Sequence, residues 1–388
     1  MPRKTNSRAA QGSGSIRQRK DGKWEARYTA GRDPGTGKQV QRSIYGDSQG
    51  EVLKKLQQVQ AEAEKGNLVE PSKMTVGQWL DIWQKEYLGG VKHRTAHSYR
   101  GIIKGYIVPS LGAVKIQKLN PHNIQAFYND LQRVKNLSPK TIKNVHGVFH
   151  SALKQAVHIG YIKINPADGA TLPRIEKPEL TILPEESIPA FLEAMKDDIY
   201  APIYYVTLFT GLRQGEVLGL SWGNVDFANG TIYICRQLQR NHDTGEYILA
   251  PLKNDKPRLI SPAPSVMEML HRVDIEQKKN RFKAGAAWNN PDNLVFTNEL
   301  GSRLIHKTVY SHFKKIAATI GMPDLRFHDL RHSYAVNALQ SGDDVKTVQD
   351  ALGHHTAAFT LDVYGFVTDK MKRDSAQRME QFIKQFKA

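Results

Sequence analysis

The sequence predicts a multidomain α+β protein, in which a small N-terminal three-stranded β-sheet with one helix precedes a helical domain and a mainly α-helical domain that contains a small β-sheet. Its 388 residues exceed the usual length of one compact domain, so two or three domains are expected. Two proline-containing segments with little hydrophobic periodicity, at 66–72 and 166–184, separate stretches of different pattern. These boundaries predict domains at residues 1–66, 73–173 and 180–388.

Alternation of apolar and polar residues predicts the strands of the first domain. A turn at Asp21-Gly22 joins two strands, since Asp-Gly is a strong hairpin signal. A third strand is predicted at 38–45, and a helix over 48–65 carries apolar residues on one face. We expect the open face of this sheet to carry basic residues, and a sheet of this kind can enter the major groove of DNA. These residues are Arg17, Arg19, Lys23, Arg27 and Arg42.

The second domain is predicted to be all-helical. Apolar residues at helical spacing indicate helices that begin near residue 76 and that span 95–107, 121–133 and 139–159. Ser138 before Pro139 is typical of an N-cap followed by proline at the first helical position. A basic four-helix module of this kind, with no catalytic cluster, is typical of a DNA clamp.

The charge of the chain is strongly positive and unevenly distributed. Lys and Arg total 55 against 38 Asp and Glu, which gives a net charge of +17 at pH 7. Residues 1–72 contribute +6 and residues 73–173 contribute +10, whereas the remaining residues contribute only +1. An excess of this size favours nucleic acid or another anionic surface as the partner.

Composition also excludes several classes of protein. A single cysteine, Cys235, excludes an intrachain disulfide and fits a reducing cytoplasm. No apolar run approaches the roughly 18–20 residues that span a bilayer. The basic N-terminus has no apolar stretch behind it that would make a secretory signal. We therefore expect a cytoplasmic protein with no membrane association.

The chemically informative residues all lie in the third domain. Arg213 stands in TGLRQGE, between glycines that let the backbone approach a ligand, with Glu216 as an available ion-pair partner. Lys253 stands in KNDKPRLI, a polar turn predicted between two strands. The segment HDLRH would place His328 and Arg331 on one face of a helix, because they are three residues apart.

Two further segments complete a pattern: LGH contains His354, and TLDVY contains Tyr364 ten residues later. In this order and context, the chain resembles the tyrosine recombinases, specifically the phage and conjugative-transposon integrases. The resemblance covers the whole chain. One departure is Gly365-Phe366 after the tyrosine, where many relatives have a histidine at the second place, and Lys256 is an alternative to the lysine. The six residues that carry the resemblance are Arg213, Lys253, His328, Arg331, His354 and Tyr364.

The resemblance implies a function for each domain. Residues 1–66 would bind arm sites and residues 73–173 core sites of double-stranded DNA. Residues 180–388 would cut and rejoin DNA strands through a 3′-phosphotyrosine intermediate, which integrates and excises a mobile element. A homotetramer on DNA during synapsis is implied, with a host DNA-bending protein or an excisionase as further partners. No metal ion, ATP or other cofactor is expected.

The chemistry of the residue types agrees with these roles. A Tyr364 phenol is a suitable nucleophile for transesterification of a phosphodiester. Arg213 and Arg331 suit the phosphoryl oxygens because a guanidinium donates two hydrogen bonds at once, with His354 as a third donor. By the resemblance, Lys253 would protonate the leaving 5′ oxygen, and His328 would assist proton transfer at the tyrosine.

A zinc hydrolase is one alternative, because His328 and His332 are four residues apart, as in HExxH, and two more histidines follow at 354 and 355. Asp329 replaces the glutamate of that motif, and the arginines, the lysine and the tyrosine stay unexplained. We treat His332 and His355 as structural residues.

Three more classes of protein fit the residues less well. GTGKQ at 35–39 resembles the end of the phosphate loop of an ATP-dependent enzyme, but Arg32 and Gln39 stand where that loop needs Gly and Ser or Thr. A non-catalytic DNA-binding regulator has no need of the nucleophile with its cations. A type IB topoisomerase would perform the same first step, but the separate N-terminal sheet favours an integrase.

The C-terminal segment predicts an amphipathic helix. Met379, Phe382, Ile383 and Phe386 fall at i, i+3, i+4 and i+7, which is one helix face. The resemblance implies that such a helix docks on a neighbouring protomer, so we expect this face to take part in assembly. Packing on the catalytic domain of its own chain is the alternative.

Overall fold

The computed structural model describes residues 15–32, 39–64, 73–176, 180–241, 244–252, 256–353, 356–364 and 369–386. The chain forms two compact units, which divide between residues 176 and 177.

The first unit begins with the predicted three-stranded sheet and helix. Its elements are β1 (Ser15–Gln18), β2 (Trp24–Arg32), β3 (Gln39–Gly46) and α1 (Gln49–Glu64). The strands are antiparallel in the order β1-β2-β3. Gly22 has a φ of +81°, which the tight turn between β1 and β2 requires and which a residue without Cβ adopts readily. Ala26 of β2 packs against Val52 and Leu56 of α1, so the predicted fold of this region is confirmed.

The basic residues of this sheet do not all lie on one face. Arg17 and Arg27 share the face of Glu25, and both pair with its buried carboxylate. Arg42 is the register partner of Tyr28, which packs on the helix side. The expectation that Arg42 belongs to the open face is therefore wrong, because strand pairing sets its side.

A helical region with its own core completes the first unit. Its helices are α2 (Val76–Glu86), α3 (His93–Ile102), α4 (Val108–Leu111), α5 (Pro121–Arg133) and α6 (Pro139–His158). A short π-helix at Ile103–Ile107 interrupts the predicted helix over 95–107. Ser138 caps α6 through the backbone N–H of Thr141 at 3.3 Å, with Pro139 at the first position, as predicted. The Trp79 indole, fully buried between α2 and α6, donates to the Ala152 carbonyl at 3.0 Å.

The second unit contains helices around short strands. Its first elements are α7 (Ile188–Met195), α8 (Ala201–Thr210), α9 (Gln214–Leu218), β4 (Val225–Asp226), β5 (Thr231–Ile234), β6 (Arg236–Arg240), β7 (Tyr247–Pro251) and β8 (Arg258–Ile260). The strands form two sheets, one in the order β4-β5-β8 and one in which β6 pairs with β7. The segment around Lys253 therefore connects strands of different sheets, not the two arms of a hairpin.

The remaining helices of this unit carry the C-terminal motifs. They are α10 (Pro264–Ala284), α11 (His306–Thr319), α12 (Phe327–Ser341), α13 (Val345–Leu352), α14 (Ala357–Tyr364) and α15 (Asp369–Lys384). Helix α12 packs on α8, α11, α13 and α14. Three apolar residues of the predicted tail helix α15 are exposed, namely Met379, Ile383 and, at 54%, Phe382. Within the described ranges, no helix combines the length and hydrophobicity needed to cross a membrane.

Candidate active site

Arg213 is fixed at the start of α9 by Glu216. Its Nη1 donates to Glu216 Oε1 at 2.7 Å, and its backbone N–H donates to the other carboxylate oxygen at 3.0 Å. Gly211, at the end of α8, makes this turn with a φ of +67°. A Cβ there would lie 2.5 Å from the Tyr334 ring and 2.7 Å from the Leu352 side chain, so only glycine fits.

Glu216 is a buried anion that two arginines share. Its side chain is 2% exposed, and Arg258 Nη2 of β8 donates to it at 2.7 Å. Burial would raise the pKa of Glu216, but the hydrogen bond and charge of Arg258 and the charge of Arg213 outweigh burial and lower it from 4.5 to about 2. The Arg258 Nε also donates to the Ala351 carbonyl at 2.8 Å, so this residue connects β8 and α9 to the end of α13.

Arg331 of α12 is almost fully enclosed, with 1% of the residue exposed. Its two terminal nitrogens donate to the Gly211 carbonyl at 2.7 Å and to the Leu352 carbonyl at 2.6 Å. Burial and then the nearby charge of Arg213 lower the pKa of the guanidinium to about 9, so it stays protonated at neutral pH. The two carbonyls therefore hold a rigid buried cation where α8, α12 and α13 meet.

Tyr364, the last residue of α14, lies against α12 with 2% of the residue exposed. Its hydroxyl is 2.7 Å from Nδ1 of His332. The His332 ring also packs edge-to-face on His328, one helical turn earlier, with centroids 4.8 Å apart. Burial raises the pKa of the Tyr364 phenol above its usual value, while the charges of Arg331 and Arg213 act in the opposite direction. A phenol, two guanidinium groups and two imidazoles thus converge in one site.

Two family models match this chain. One, described as the phage integrase family, matches residues 181–371, which include the whole site. The other, described as the phage integrase N-terminal SAM-like domain, matches residues 75–132 of the helical region. The chain belongs to the phage integrase family of tyrosine recombinases. It is an enzyme of site-specific DNA recombination from the group that mobile elements encode, and a non-catalytic regulator or a topoisomerase is not favoured.

Individual relatives match between 79% and 93% of this chain. A "Tyrosine recombinase XerC-like" protein of Caldanaerobacter subterraneus subsp. tengcongensis is 29% identical, over 93% of this chain and 97% of its own. The Tn1549 transposon integrase, solved with a circular intermediate DNA, is 22% identical and has a TM-score of 0.66 over 79% of this chain and 100% of that one. A lambda integrase tetramer bound to a Holliday junction is 20% identical, with a TM-score of 0.56 over 91% of this chain and 96% of that one. These structures share the fold of this recombinase.

Two of the six sequence-predicted residues of the recombinase, Lys253 and His354, lie outside the described residues. Gly353, which precedes His354, lies against the Arg258 side chain of the site. A Cβ on Gly353 would lie 3.1 Å from Arg258 Nη1. Its φ of +62° also favours glycine. Lys256, the alternative lysine, is exposed to solvent.

Sequence reasoning missed two residues that contact the recombinase's site. The sequence favours a structural role for His332, yet its Nδ1 contacts the Tyr364 hydroxyl. Arg258 also belongs to the site, because its guanidinium donates to Glu216. The available signal was its place in the KNDKPRLI segment, two residues before Ile260, since residues two apart in a strand share one face. Asp329, the acid of the zinc alternative, is fully buried and accepts a hydrogen bond from the Arg326 guanidinium at 2.7 Å. Within the described residues, no three His, Cys, Asp or Glu side chains are placed to hold a metal ion.

Proposed function

We propose that Tyr364 attacks a DNA phosphodiester and becomes linked to the 3′ phosphate, while Arg213 and Arg331 bind the phosphoryl oxygens. The observation that carries this proposal is the geometry around the buried Tyr364, whose hydroxyl contacts Nδ1 of His332 at 2.7 Å on the helix that also carries the enclosed Arg331. The charges of Arg331 and Arg213 both act to lower the pKa of this phenol, which agrees with the proposal. Arg213 is 27% exposed and so retains access to a ligand. The rigid Arg331 supplies positive charge that needs no reorganisation as the transition state forms.

The remaining roles complete one transesterification. Lys253 protonates the 5′ oxygen as it leaves, His354 donates a third hydrogen bond to the phosphoryl group, and His328 assists proton transfer. Removing one positioned donor from such a site typically costs about 3–4 kcal/mol of transition-state stabilisation. Several such donors make up a large share of the ~8–23 kcal/mol by which enzymes lower barriers, although these contributions are not additive. The bond energy stays in the phosphotyrosine ester, so rejoining needs no ATP.

The two N-terminal regions bind double-stranded DNA in this proposal. Residues 73–173 bind the core site, and their net charge of +10 supports this role. Residues 1–66 bind arm sites through the open face of the sheet, which carries Arg17 and Arg27. Both arginines also form ion pairs with Glu25. Each Lys or Arg that contacts a phosphate releases counterions, so binding weakens steeply as salt rises.

The active assembly is proposed to be a homotetramer that pairs two DNA sites and integrates or excises a mobile element. The lambda integrase tetramer on a Holliday junction, which has the same fold, supports this arrangement. Such an assembly works on DNA in the cytoplasm of a bacterial host, with a host DNA-bending protein or an excisionase setting its direction.

The polarity of cleavage tests this chemistry. Purified protein is incubated, with EDTA and without ATP, with a nicked duplex that spans the junction between the element and host DNA. We expect a covalent protein–DNA adduct and a free 5′ hydroxyl that polynucleotide kinase can label without prior phosphatase treatment. An adduct on the 5′ side, or cleavage that needs added Mg²⁺ or ATP, would contradict the proposal.

A further inference from the structure

His332 is the residue that the structure places at the reacting oxygen. Its Nδ1 lies 2.7 Å from the Tyr364 hydroxyl, the usual distance for a hydrogen bond that involves a hydroxyl. The ring centroids are 5.6 Å apart at 49°, so the contact joins the edge of the imidazole to the phenol oxygen and is not a stack. Both residues sit on helices that pack together, α12 and α14, so the contact belongs to the packing of the second unit.

The environment of this pair favours a neutral imidazole. Burial lowers the pKa of His332 below its usual value, so Nδ1 is free to accept a proton at neutral pH. The pKa of a tyrosine phenol is ordinarily near 10, and burial raises the pKa of Tyr364 above that value. The phenol therefore keeps its proton until attack begins. With 2% of Tyr364 exposed, hydroxide from bulk solvent has little access to that proton. The proton therefore needs an acceptor inside the site.

We infer that His332 is the general base of strand cleavage and the general acid of strand joining, an inference that rests on the proposed nucleophilic role of Tyr364. In cleavage, the O–H bond of Tyr364 breaks and its proton moves to Nδ1 of His332. The oxygen's electron pair forms the bond to phosphorus, and the bond from phosphorus to the 5′ oxygen breaks as that oxygen takes a proton from Lys253. In joining, the 5′ hydroxyl gives its proton back to the neutral Lys253 amine as its oxygen attacks the phosphorus. The bond from phosphorus to the Tyr364 oxygen breaks, and His332 returns its proton to the departing phenolate.

Arg331 and His328 both support the proposed role of His332. Arg331 is held by the Gly211 and Leu352 carbonyls, so its charge stays near the phenol oxygen as the proton leaves. His328 stands one turn earlier on α12 and packs its ring on His332. His328 assists proton transfer by orienting the His332 imidazole, while His332 makes the direct contact to the phenol oxygen.

The test measures single-turnover formation of the covalent adduct on the nicked junction duplex. His332→Gln keeps a hydrogen-bond acceptor but cannot take the proton, so we expect adduct formation to slow at least ~100-fold, the usual contribution of a general base. Binding to the same duplex should stay within ~3-fold of wild type. The matched control is His312→Gln, because His312 is also half-buried in this unit and its Nδ1 pairs with Asp198 at 2.8 Å. This control should cleave within ~3-fold of wild type.

A second measurement separates proton transfer from mere positioning. Fluorinated tyrosine, whose phenol is more acidic, is incorporated at position 364 in the wild-type and His332→Gln backgrounds. If His332 is the base, the more acidic phenol should accelerate the His332→Gln protein at least ~10-fold more than the wild type. Wild-type rates in His332→Gln, or a slow variant that gains nothing from the acidic phenol, would overturn the inference. Failure of the nucleophile assignment is distinct, since it would appear as an adduct that persists in Tyr364→Phe.

Discussion

Glu216 is the buried anion on which two cations of the site depend, and Glu216→Gln removes its charge while keeping its shape. The carboxylate accepts hydrogen bonds from Arg213 Nη1 and Arg258 Nη2, both at 2.7 Å. In the variant these two guanidinium groups lose their shared counter-charge. Glutamine keeps only one acceptor oxygen, so it cannot hold Arg213 and Arg258 together as the carboxylate does, and the orientation of Arg213 toward the proposed phosphate is no longer fixed.

The cost follows from the carboxylate's pKa. A fall from 4.5 to about 2 corresponds to about 3 kcal/mol of interaction that favours the ionised, folded form. Removal of one partner from a buried ion pair typically costs about 3–5 kcal/mol, which agrees. For a unit of this size, about 3 kcal/mol lowers the melting temperature by about 6–12 °C.

Thermal unfolding of the full-length protein, followed by circular dichroism at pH 7, measures this change. The matched control is Glu193→Gln, because Glu193 is an exposed carboxylate that pairs with Lys196 and should contribute little. We expect a large decrease for Glu216→Gln and less than about 2 °C for the control. A Glu216→Gln protein that melts within about 2 °C of wild type would refute the reasoning.

The effect of Glu216 also has a defined pH dependence. Because its pKa is lower in the folded protein, its contribution to the free energy of unfolding is complete above pH 4.5 and is lost as the pH falls toward 2. The difference in stability between wild type and Glu216→Gln should therefore narrow across this interval. A difference that stays constant from pH 7 down to pH 3 would contradict the ionised, doubly paired state.

Three further changes probe different parts of the molecule. Arg258→Lys should slow adduct formation at least ~10-fold with little loss of DNA binding, because lysine cannot contact both Glu216 and the Ala351 carbonyl as a guanidinium does. Single-turnover cleavage measures this rate, and an unchanged rate would contradict the prediction. Deletion of residues 1–66 should retain cleavage of a core site but abolish full recombination, and loss of core cleavage would show that the module is not independent. The double variant Phe382→Ala with Phe386→Ala should melt within about 2 °C of wild type, since both side chains are exposed. It should also impair synapsis in a gel-shift assay. Loss of the cooperative thermal transition would indicate that the helix packs within one protomer.

Local signals in the sequence were sufficient for the elements they control directly. Asp21-Gly22 predicted the β1–β2 turn, and Ser138 with Pro139 predicted the start of α6, because turn and cap geometry depends on a few adjacent residues. The Arg213–Glu216 pair was likewise available from a spacing of three at a helix start. Elements of this kind need no knowledge of the tertiary fold.

The features that sequence reasoning missed depend on contacts between distant segments. The His332–Tyr364 contact joins residues 32 positions apart and exists only because α14 packs on α12. Arg258 reaches Glu216 because β8 pairs with β5 and not with β7, and periodicity gives no information on strand order. The face of Arg42 is fixed by its register opposite Tyr28. In each case, the pairing of elements carries the information, and the residue types alone do not.

The most direct test of the central claim is Tyr364→Phe, which removes only the phenolic oxygen. The protein is incubated with the nicked junction duplex and resolved on a denaturing gel, beside Tyr334→Phe as a matched control whose ring lies next to Gly211 in the same unit. We predict that Tyr364→Phe forms no covalent adduct and binds the duplex as wild type does, while Tyr334→Phe still forms the adduct. A covalent adduct that persists in Tyr364→Phe would contradict the assignment of the nucleophile.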